Sequence, residues 1–419
     1  MITDTKIRAA LIGEKLGHSF SPVIHGYLSS HPYELRELAP DELAAFFAKR
    51  DFVGVNVTIP YKSVCMQYLD EIDPIAREIG AVNTVVNRDG KLIGYNTDAD
   101  GIRAILARAG VSLANKKVLI LGTGGTSQTA QAVAKSAGAR EILRVSRTEK
   151  DGTITYEMAK AHHTDADVII NTTPVGMYPN VEGLAIDLTP FTNLSGVLDV
   201  VYNPLVTPLL RAAEARGIPS SGGLYMLVAQ AVRASEYFIG TTYPAEVLDE
   251  VYTKVYNAKQ TIYLVGMPAS GKSTIGAMLA EALGRPFIDL DVFITEKYGA
   301  TPEQIILGEG EPAFRDKESD ALYEVKYHHA GAVVATGGGA ILREDNRRLM
   351  QEGGRVLFLD RSLGLLTPTS DRPTASTKEA MAARYAERYP RYTVTADCRI
   401  PVEGNAESVA WAIGEEFLI

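Results

Sequence analysis

The run TIYLVGMPASGKSTIG, residues 261–276, leads from an apolar segment into a loop bracketed by Gly266 and Gly271 and closed by Lys272, Ser273 and Thr274. Between a strand and a helix, this P-loop spacing offers successive backbone amides, those about Ser270 and Gly271 included, to cradle phosphates. Lys272 neutralises the transferred group and Ser273 is placed to ligate magnesium. An unlike loop stands upstream, where KKVLILGTGGTSQTAQA sets Gly122, Gly124 and Gly125 between an apolar run and a helical pattern. Glycines in that context let the backbone approach a pyrophosphate at a helix N-terminus. Two unlike loops imply two unlike nucleotides.

Each loop is followed by residues that refine its ligand. After the first, EILRV ends in Ser146, Arg147 and Thr148, where an NAD-binding chain presents an acidic residue to the ribose 2′-hydroxyl. Arginine there suits a 2′-phosphate, so NADP(H) is expected over NAD(H). After the second loop, FIDLD places Asp289 and Asp291 two apart at a strand end, so both are expected to face one crevice. One carboxylate would hold magnesium, and the other would orient an acceptor hydroxyl. GEPAFRDKE then supplies Arg315 and Glu318, VATGGG supplies Gly337, Gly338 and Gly339, and ERYPRYTVTAD supplies Arg388. Guanidinium forks and open backbone amides of this kind are what a carboxylate-bearing acceptor requires.

The first hundred residues carry a different polar set. GEKLGHSFSP puts Ser19 and Ser21 two apart, GVNVTIPYK brings Thr58 and Lys62, and GAVNT and GYNTDADG bring Asn83, Asn96 and Asp98. In an extended segment the two serines would share a face and present two hydroxyls to one polyhydroxylated ligand, although singly they also read as an ordinary serine turn. Reducing a ketone by hydride transfer leaves negative charge on oxygen, and a positioned cation or proton donor lowers that barrier. Lys62 is the candidate donor and Asp98 the carboxylate that aims it.

Elements of alternating type must position these groups. Strand-like runs (KVLILG, VIINTT, TIYLVG, VVATGG, VLFLD) alternate with helical patterns such as TAQAVAKSAGA, the βαβ rhythm of parallel α/β folds. A chain of 419 residues, 46% hydrophobic and 22% charged, has room for two or three cores. A net charge of -9 without a basic run argues against nucleic-acid binding, and no apolar run is long enough to span a membrane. The opening MITDTKIRAALIG lacks the pattern of a secretory signal, so a cytoplasmic location is expected. Cys65 and Cys398, the two cysteines, fall far apart and suggest no disulfide framework. YTKVYNAKQ, residues 252–260, is the best linker candidate, with a helix end as the other reading.

The serine pair, NVTIPYK, GAVNT and NTDADG, continued by NTTPVGM, DVVYNPLVTPLL and GGLYMLVAQA, resemble the shikimate dehydrogenase family over about residues 5–258. The resemblance implies that Ser19, Ser21, Thr58, Asn83, Tyr202 and Gln230 hold substrate while Lys62 and Asp98 form the catalytic pair. It also implies a discontinuous substrate-binding domain, 1–100 with 222–258, around an NADP-binding Rossmann domain, 101–221. Ser146 stands where the family usually has asparagine. Residues 261–419 resemble shikimate kinase, a P-loop domain with a parallel sheet. By that resemblance Asp291, Arg315, Arg388 and the loop Gly337–Gly338–Gly339 meet shikimate, Arg372 in SDRPTA is the lid arginine, and Ser273 with Asp289 serves the metal. Ala269 replaces a usual P-loop glycine, Pro-Thr-Ala follows Arg372 in place of Pro-Leu-Leu, and Arg391 replaces a leucine.

The expected function is therefore bifunctional: NADPH-dependent reduction of 3-dehydroshikimate to shikimate, then phosphorylation of shikimate with ATP and magnesium. The expected partners are those small molecules, with neither nucleic acid nor membrane. The alternative is an NAD-linked quinate/shikimate dehydrogenase whose C-terminal half senses nucleotide or shikimate without turnover. Arg147 argues against the first part of that alternative and the retained acceptor residues against the second.

Overall fold

The computed structural model describes residues 9–16, 19–28, 32–148, 152–178, 180–366 and 378–418. Residue contacts divide the chain into two compact units, Met1–Val255 and Tyr256–Ile419. Both are α/β.

The first unit holds two sheets. One contains β1 (Ala9–Gly13), β2 (Tyr33–Glu37), β3 (Gly54–Val57), β4 (Glu71–Ile72), β5 (Thr84–Arg88) and β6 (Lys91–Tyr95), in the order β2-β1-β3-β5-β6-β4. The alternation of strands and helices predicts parallel pairing throughout, but β5 runs antiparallel to both β3 and β6. The β5–β6 reversal has a local cause: Asp89 and Gly90 both take positive φ, 52° and 86°, the two-residue turn that returns a strand on its neighbour. The other sheet contains β7 (Lys117–Leu121), β8 (Glu141–Ser146), β9 (Thr153–Thr155), β10 (Val168–Asn171), β11 (Gly196–Asp199) and β12 (Ser220–Ser221), all parallel, in the order β12-β11-β10-β7-β8-β9. The order reverses between β7 and β10, and such a switch point opens a crevice at the strands' C-terminal ends.

The helix Gly223–Ile239 packs against β3, β5 and the helices Ser21–Leu28 and Asp98–Arg108. Its crossing with Asp98–Arg108 is close at Gly101, where a Cβ would lie 2.8 Å from the Met226 carbonyl oxygen and from Gln230 Cγ. The glycine of NTDADG thus lets two helices meet just behind the side chains of Asp98 and Gln230.

The second unit is built on β13 (Thr261–Val265), β14 (Phe287–Asp289), β15 (Val333–Ala335), β16 (Gly354–Asp360) and β17 (Cys398–Pro401), all parallel, in the order β14-β15-β13-β16-β17. Central β13 is buried on both faces, as parallel sheets require. Tyr263 and Val265 enter one core with Val334, Val356 and Phe358, while Ile262 and Leu264 enter the other with Val333, Leu357 and Leu359.

Of the two readings of residues 252–260, the helix end is the one observed, and the division between the units falls within it. Residues 247–259 form one continuous helix, Val247–Lys259, with Val251 and Val255 buried and Leu248 and Tyr252 packed on the core of the first unit. Leu248, Val251, Tyr252 and Val255 repeat at helical spacing and give the segment an apolar stripe that a free linker would lack. Among the described residues no helix is long and apolar enough to cross a membrane.

Candidate active sites

In the first unit Lys62 lies on the short helix Tyr61–Val64 directly after β3, and Asp98 opens the helix Asp98–Arg108 after β6. Lys62 Nζ donates to Asp98 Oδ2 at 2.6 Å, and Asn83 Nδ2 donates to Asp98 Oδ1 at 2.9 Å. Asn83 Oδ1 in turn accepts from the Thr97 amide at 2.7 Å and from the Thr84 hydroxyl at 3.1 Å. Asp98, only 4% exposed, therefore has both oxygens engaged and one orientation. The thiol of Cys65 packs behind, toward the Lys62 carbonyl at 3.6 Å, and burial pushes it up to about 12, so it is an inert prop for the lysine's helix.

The pair faces a cavity of about 180 Å³ that also takes in Ser19, Ser21, Thr58, Asn83, Tyr202 and Gln230. Of the two readings of the serine pair, the serine turn is the one observed, and both hydroxyls still reach the cavity. Ser21 begins a helix, and Ser19 Oγ accepts its amide at 3.2 Å, which gathers both hydroxyls at a helix start. Asn96 stays behind the cavity wall, donating to the Ala81 carbonyl at 2.9 Å.

His25 and Asn56 also line the cavity, and Tyr33 lies against both. His25, 3% exposed, stacks on Tyr33 with ring centroids 3.9 Å apart, and burial pushes its imidazole down to about 3. The Tyr33 hydroxyl donates to Asn56 Oδ1 at 2.7 Å, and Asn56 Nδ2 donates to Thr84 Oγ1 at 3.1 Å. Only Asn56 had a visible signal, as the asparagine of NVTIPYK.

At the switch point Gly122 takes φ 110° directly after β7, where a Cβ would meet Thr172 Oγ1 at 2.8 Å. Gly124 and Gly125 open the helix Gly125–Ser136 with no atom within 4 Å of their Cβ positions, which leaves their backbone approachable. The Gly122 amide bonds the Val145 carbonyl at 2.9 Å, so the glycine loop adjoins the end of β8 that carries Ser146, Arg147 and Thr148. Arg147 and Thr148 are exposed and Ser146 is buried. Across the crevice Asp199 Oδ1 accepts from Asn171 Nδ2 at 3.0 Å and Asp199 Oδ2 from the Thr207 hydroxyl at 2.7 Å. Burial raises this carboxyl to about 6 despite those bonds. The network braces the ends of β10 and β11, and sequence patterning did not reveal it.

In the second unit the phosphate loop curls around left-handed residues, Ala269 at φ 63° and Gly271 at φ 94°. Alanine tolerates that conformation less well than the glycine it replaces. Lys272 Nζ donates to the Gly266 and Met267 carbonyls at 2.9 Å each, and Thr274 follows Ser273 into the helix Lys272–Leu283. Ser273 Oγ donates to Asp289 Oδ2 at 2.5 Å. Strand geometry does not relate the two aspartates as the sequence suggests: β14 ends at Asp289, which caps the helix Leu290–Tyr298, and Asp291 lies in that helix's first turn. The carboxylates are therefore divided, Asp289 toward Ser273 and Asp291 toward a separate cavity.

That cavity, about 690 Å³, is walled by Asp291, Arg315, Glu318, Arg388 and the loop Gly337–Gly338–Gly339. Pro268 of the phosphate loop is part of the same wall. The glycines give Arg315 and Pro268 their room: a Cβ on Gly339 would lie 2.3 Å from the Arg315 guanidinium and displace it, and one on Gly338 would press on Pro268 at 3.0 Å. Arg315 donates to Glu318 at 2.7 Å and Glu311 at 3.0 Å. Burial raises the Glu318 carboxyl to about 7, against the pull of Arg315. Arg388 donates to the Gly338 carbonyl at 3.0 Å, and its buried Nε has no partner. Arg384, which the motifs did not single out, lines the same cavity one helical turn from Arg388. Arg372 lies outside the described residues.

The comparisons agree in both units. A family model for the shikimate dehydrogenase substrate binding domain matches residues 11–85, and one for shikimate kinase matches residues 268–417. The shikimate dehydrogenase (NADP(+)) of Clostridium perfringens is 37% identical over 270 residues, 58% of this chain and 97% of the relative. Shikimate 5-dehydrogenase of Thermus thermophilus, solved in complex with NADP(H) and shikimate, is 30% identical with TM-score 0.53, covering 59% of this chain and 98% of that one. A chorismate mutase/shikimate 5-dehydrogenase fusion protein from Clostridium acetobutylicum is 33% identical with TM-score 0.57 over 60% of this chain and 97% of its own. From near-complete coverage of such relatives, and from the second match beyond them, the chain belongs to the shikimate dehydrogenase family and carries, in its C-terminal unit, a shikimate kinase domain.

Proposed function

We propose that the first unit reduces 3-dehydroshikimate to shikimate with NADPH and that the second phosphorylates shikimate with ATP. The observation that carries the first reaction is the 2.6 Å contact of Lys62 with a fully engaged Asp98 at a cavity lined by hydroxyl and amide side chains. When bound, the dinucleotide supplies the hydride. Lys62 presents its ammonium to the oxygen on which charge develops, Asp98 and Asn83 hold that ammonium's direction, and Ser19 and Ser21 bind the far side of the ring. Arg147, exposed beside the glycine loop, is the group for a 2′-phosphate.

For the second reaction, Pro268 joins the phosphate loop to the acceptor cavity, which supports direct transfer between neighbouring ligands. Lys272 would leave its loop carbonyls for the phosphoryl oxygens, Asp291 would accept or orient the acceptor hydroxyl, and Arg315 and Arg388 would grip the carboxylate. Ser273 and Asp289, two hard oxygen donors in contact, fit a magnesium ion that keeps its remaining positions for water and phosphate. We assign residues 1–100 and 222–258 to substrate binding, 101–221 to the dinucleotide and 261–419 to the kinase.

The test is to supply 3-dehydroshikimate, NADPH, ATP and magnesium together and follow NADPH loss and ADP appearance. Shikimate-dependent ADP release is expected, and nucleotide binding without it would make the second unit a sensor. Arg147→Ala should raise KM for NADPH far more than for NADH, since a charge-assisted contact contributes roughly 1.5–3 kcal/mol. Equal effects on both cofactors would remove the 2′-phosphate assignment.

A further inference from the structure

We propose that Arg384 is a further acceptor-binding residue, adding a third guanidinium beside Arg388 to the grip of Arg315 and Arg388 on the acceptor's carboxylate. This rests on the kinase reading of the second unit.

The three cavity arginines are held differently. Arg315 carries two counter-charges, Glu318 and Glu311, beside any acceptor it meets. Arg388, 8% exposed, spends one nitrogen on the Gly338 carbonyl and leaves Nε without a partner. Arg384, half-buried on the same helix Lys378–Thr395, pairs with no carboxylate among the described residues. Like charges four apart on a helix repel. Burial and then the neighbouring Arg388 hold the Arg384 guanidinium below its usual range, with Glu311 and Glu387 acting the other way and Arg315 adding to the repulsion. Asp291, Glu303, Glu311, Glu318 and Glu387 also line this cavity, but none of them makes an ion pair with Arg384, so two guanidiniums one helical turn apart keep donors for whatever enters. A carboxylate suits this place because planar forks bind it bidentately. The nucleotide phosphates have their own cradle of amides and Lys272, across Pro268.

The test uses the full chain with Arg384→Leu and Arg384→Lys, measuring shikimate affinity by calorimetry beside steady-state kinetics. Arg384→Leu should raise the Kd for shikimate roughly tenfold, the loss of one charge-assisted contact, with kcat changed much less than KM. Arg384→Lys should recover part of that loss, since it keeps the charge without the fork. Shikimate methyl ester, which lacks the carboxylate charge, should bind the unsubstituted chain and the leucine variant alike. An unchanged Kd for shikimate, an equal loss for acid and ester, or a loss that falls on ATP instead would overturn the proposal. Absence of ADP release from the unsubstituted chain would instead sink the kinase reading, and the calorimetric comparison would still stand.

Discussion

Tyr33 bonds to no member of the Lys62–Asp98 pair, yet a hydrogen-bonded chain runs from its hydroxyl through Asn56, Thr84 and Asn83 to Asp98. Removing that hydroxyl frees the Asn56 amide to turn and slackens every later member of the chain. Tyr33→Phe should therefore lower kcat for ketone reduction by roughly fivefold, the equivalent of one ordinary hydrogen bond at about 1 kcal/mol, and leave KM for NADPH as it was. Unaltered kcat in a folded variant would show that the chain does not reach the reacting atoms. His25, stacked on Tyr33 and held near 3, stays neutral over the working range, so no limb of the pH profile should belong to it. Groups of this kind could not be read from the sequence. Lys272 and Gly122 announce themselves because a loop around phosphates admits few residue types, whereas Tyr33 and Arg384 matter only through neighbours that folding brings to them.

Among the elements, the helix Gly223–Ile239 does most to complete the first site, since it carries Gln230 to a cavity built, Tyr202 apart, from the first hundred residues. Its seat depends on Gly101. Gly101→Ala should destabilise the first unit by roughly 1–3 kcal/mol, because the added methyl meets backbone oxygen that cannot step aside as a side-chain tip would. KM for 3-dehydroshikimate should rise as Gln230 shifts, and an undiminished unfolding midpoint would refute the close crossing. The α/β class and the strand-loop-helix placement of both nucleotide loops were legible because apolar period and glycine position encode them directly. The reversal at Asp89–Gly90 was written there too, but its Asp-Gly signal was masked by the surrounding alternation. The helical start at Ser21 and the split of Asp289 from Asp291 were missed for a shared reason. A two-residue spacing shares a face only while the chain stays extended, and in each case a helix begins within the spacing.

For the whole molecule, the two motif sets fall on separate sides of the division at Val255–Tyr256. Lys62→Ala should abolish ketone reduction and spare phosphorylation, and Asp291→Ala should do the reverse. An equimolar mixture of the two variants should convert 3-dehydroshikimate to shikimate 3-phosphate at a rate per working site comparable to the intact chain, because free shikimate is not tethered. Either substitution silencing both reactions would refute this independence. The helix Val247–Lys259 runs through the division, so the point that separates the two enzymes falls inside a helix. A chain cut at the division, by a protease or by a cloning decision, would expose up to four carbonyls on one fragment and four amides on the other that had been paired within the helix. Each fragment would begin its separate life with a frayed end, so a durable dissection should give both pieces the whole of residues 247–259.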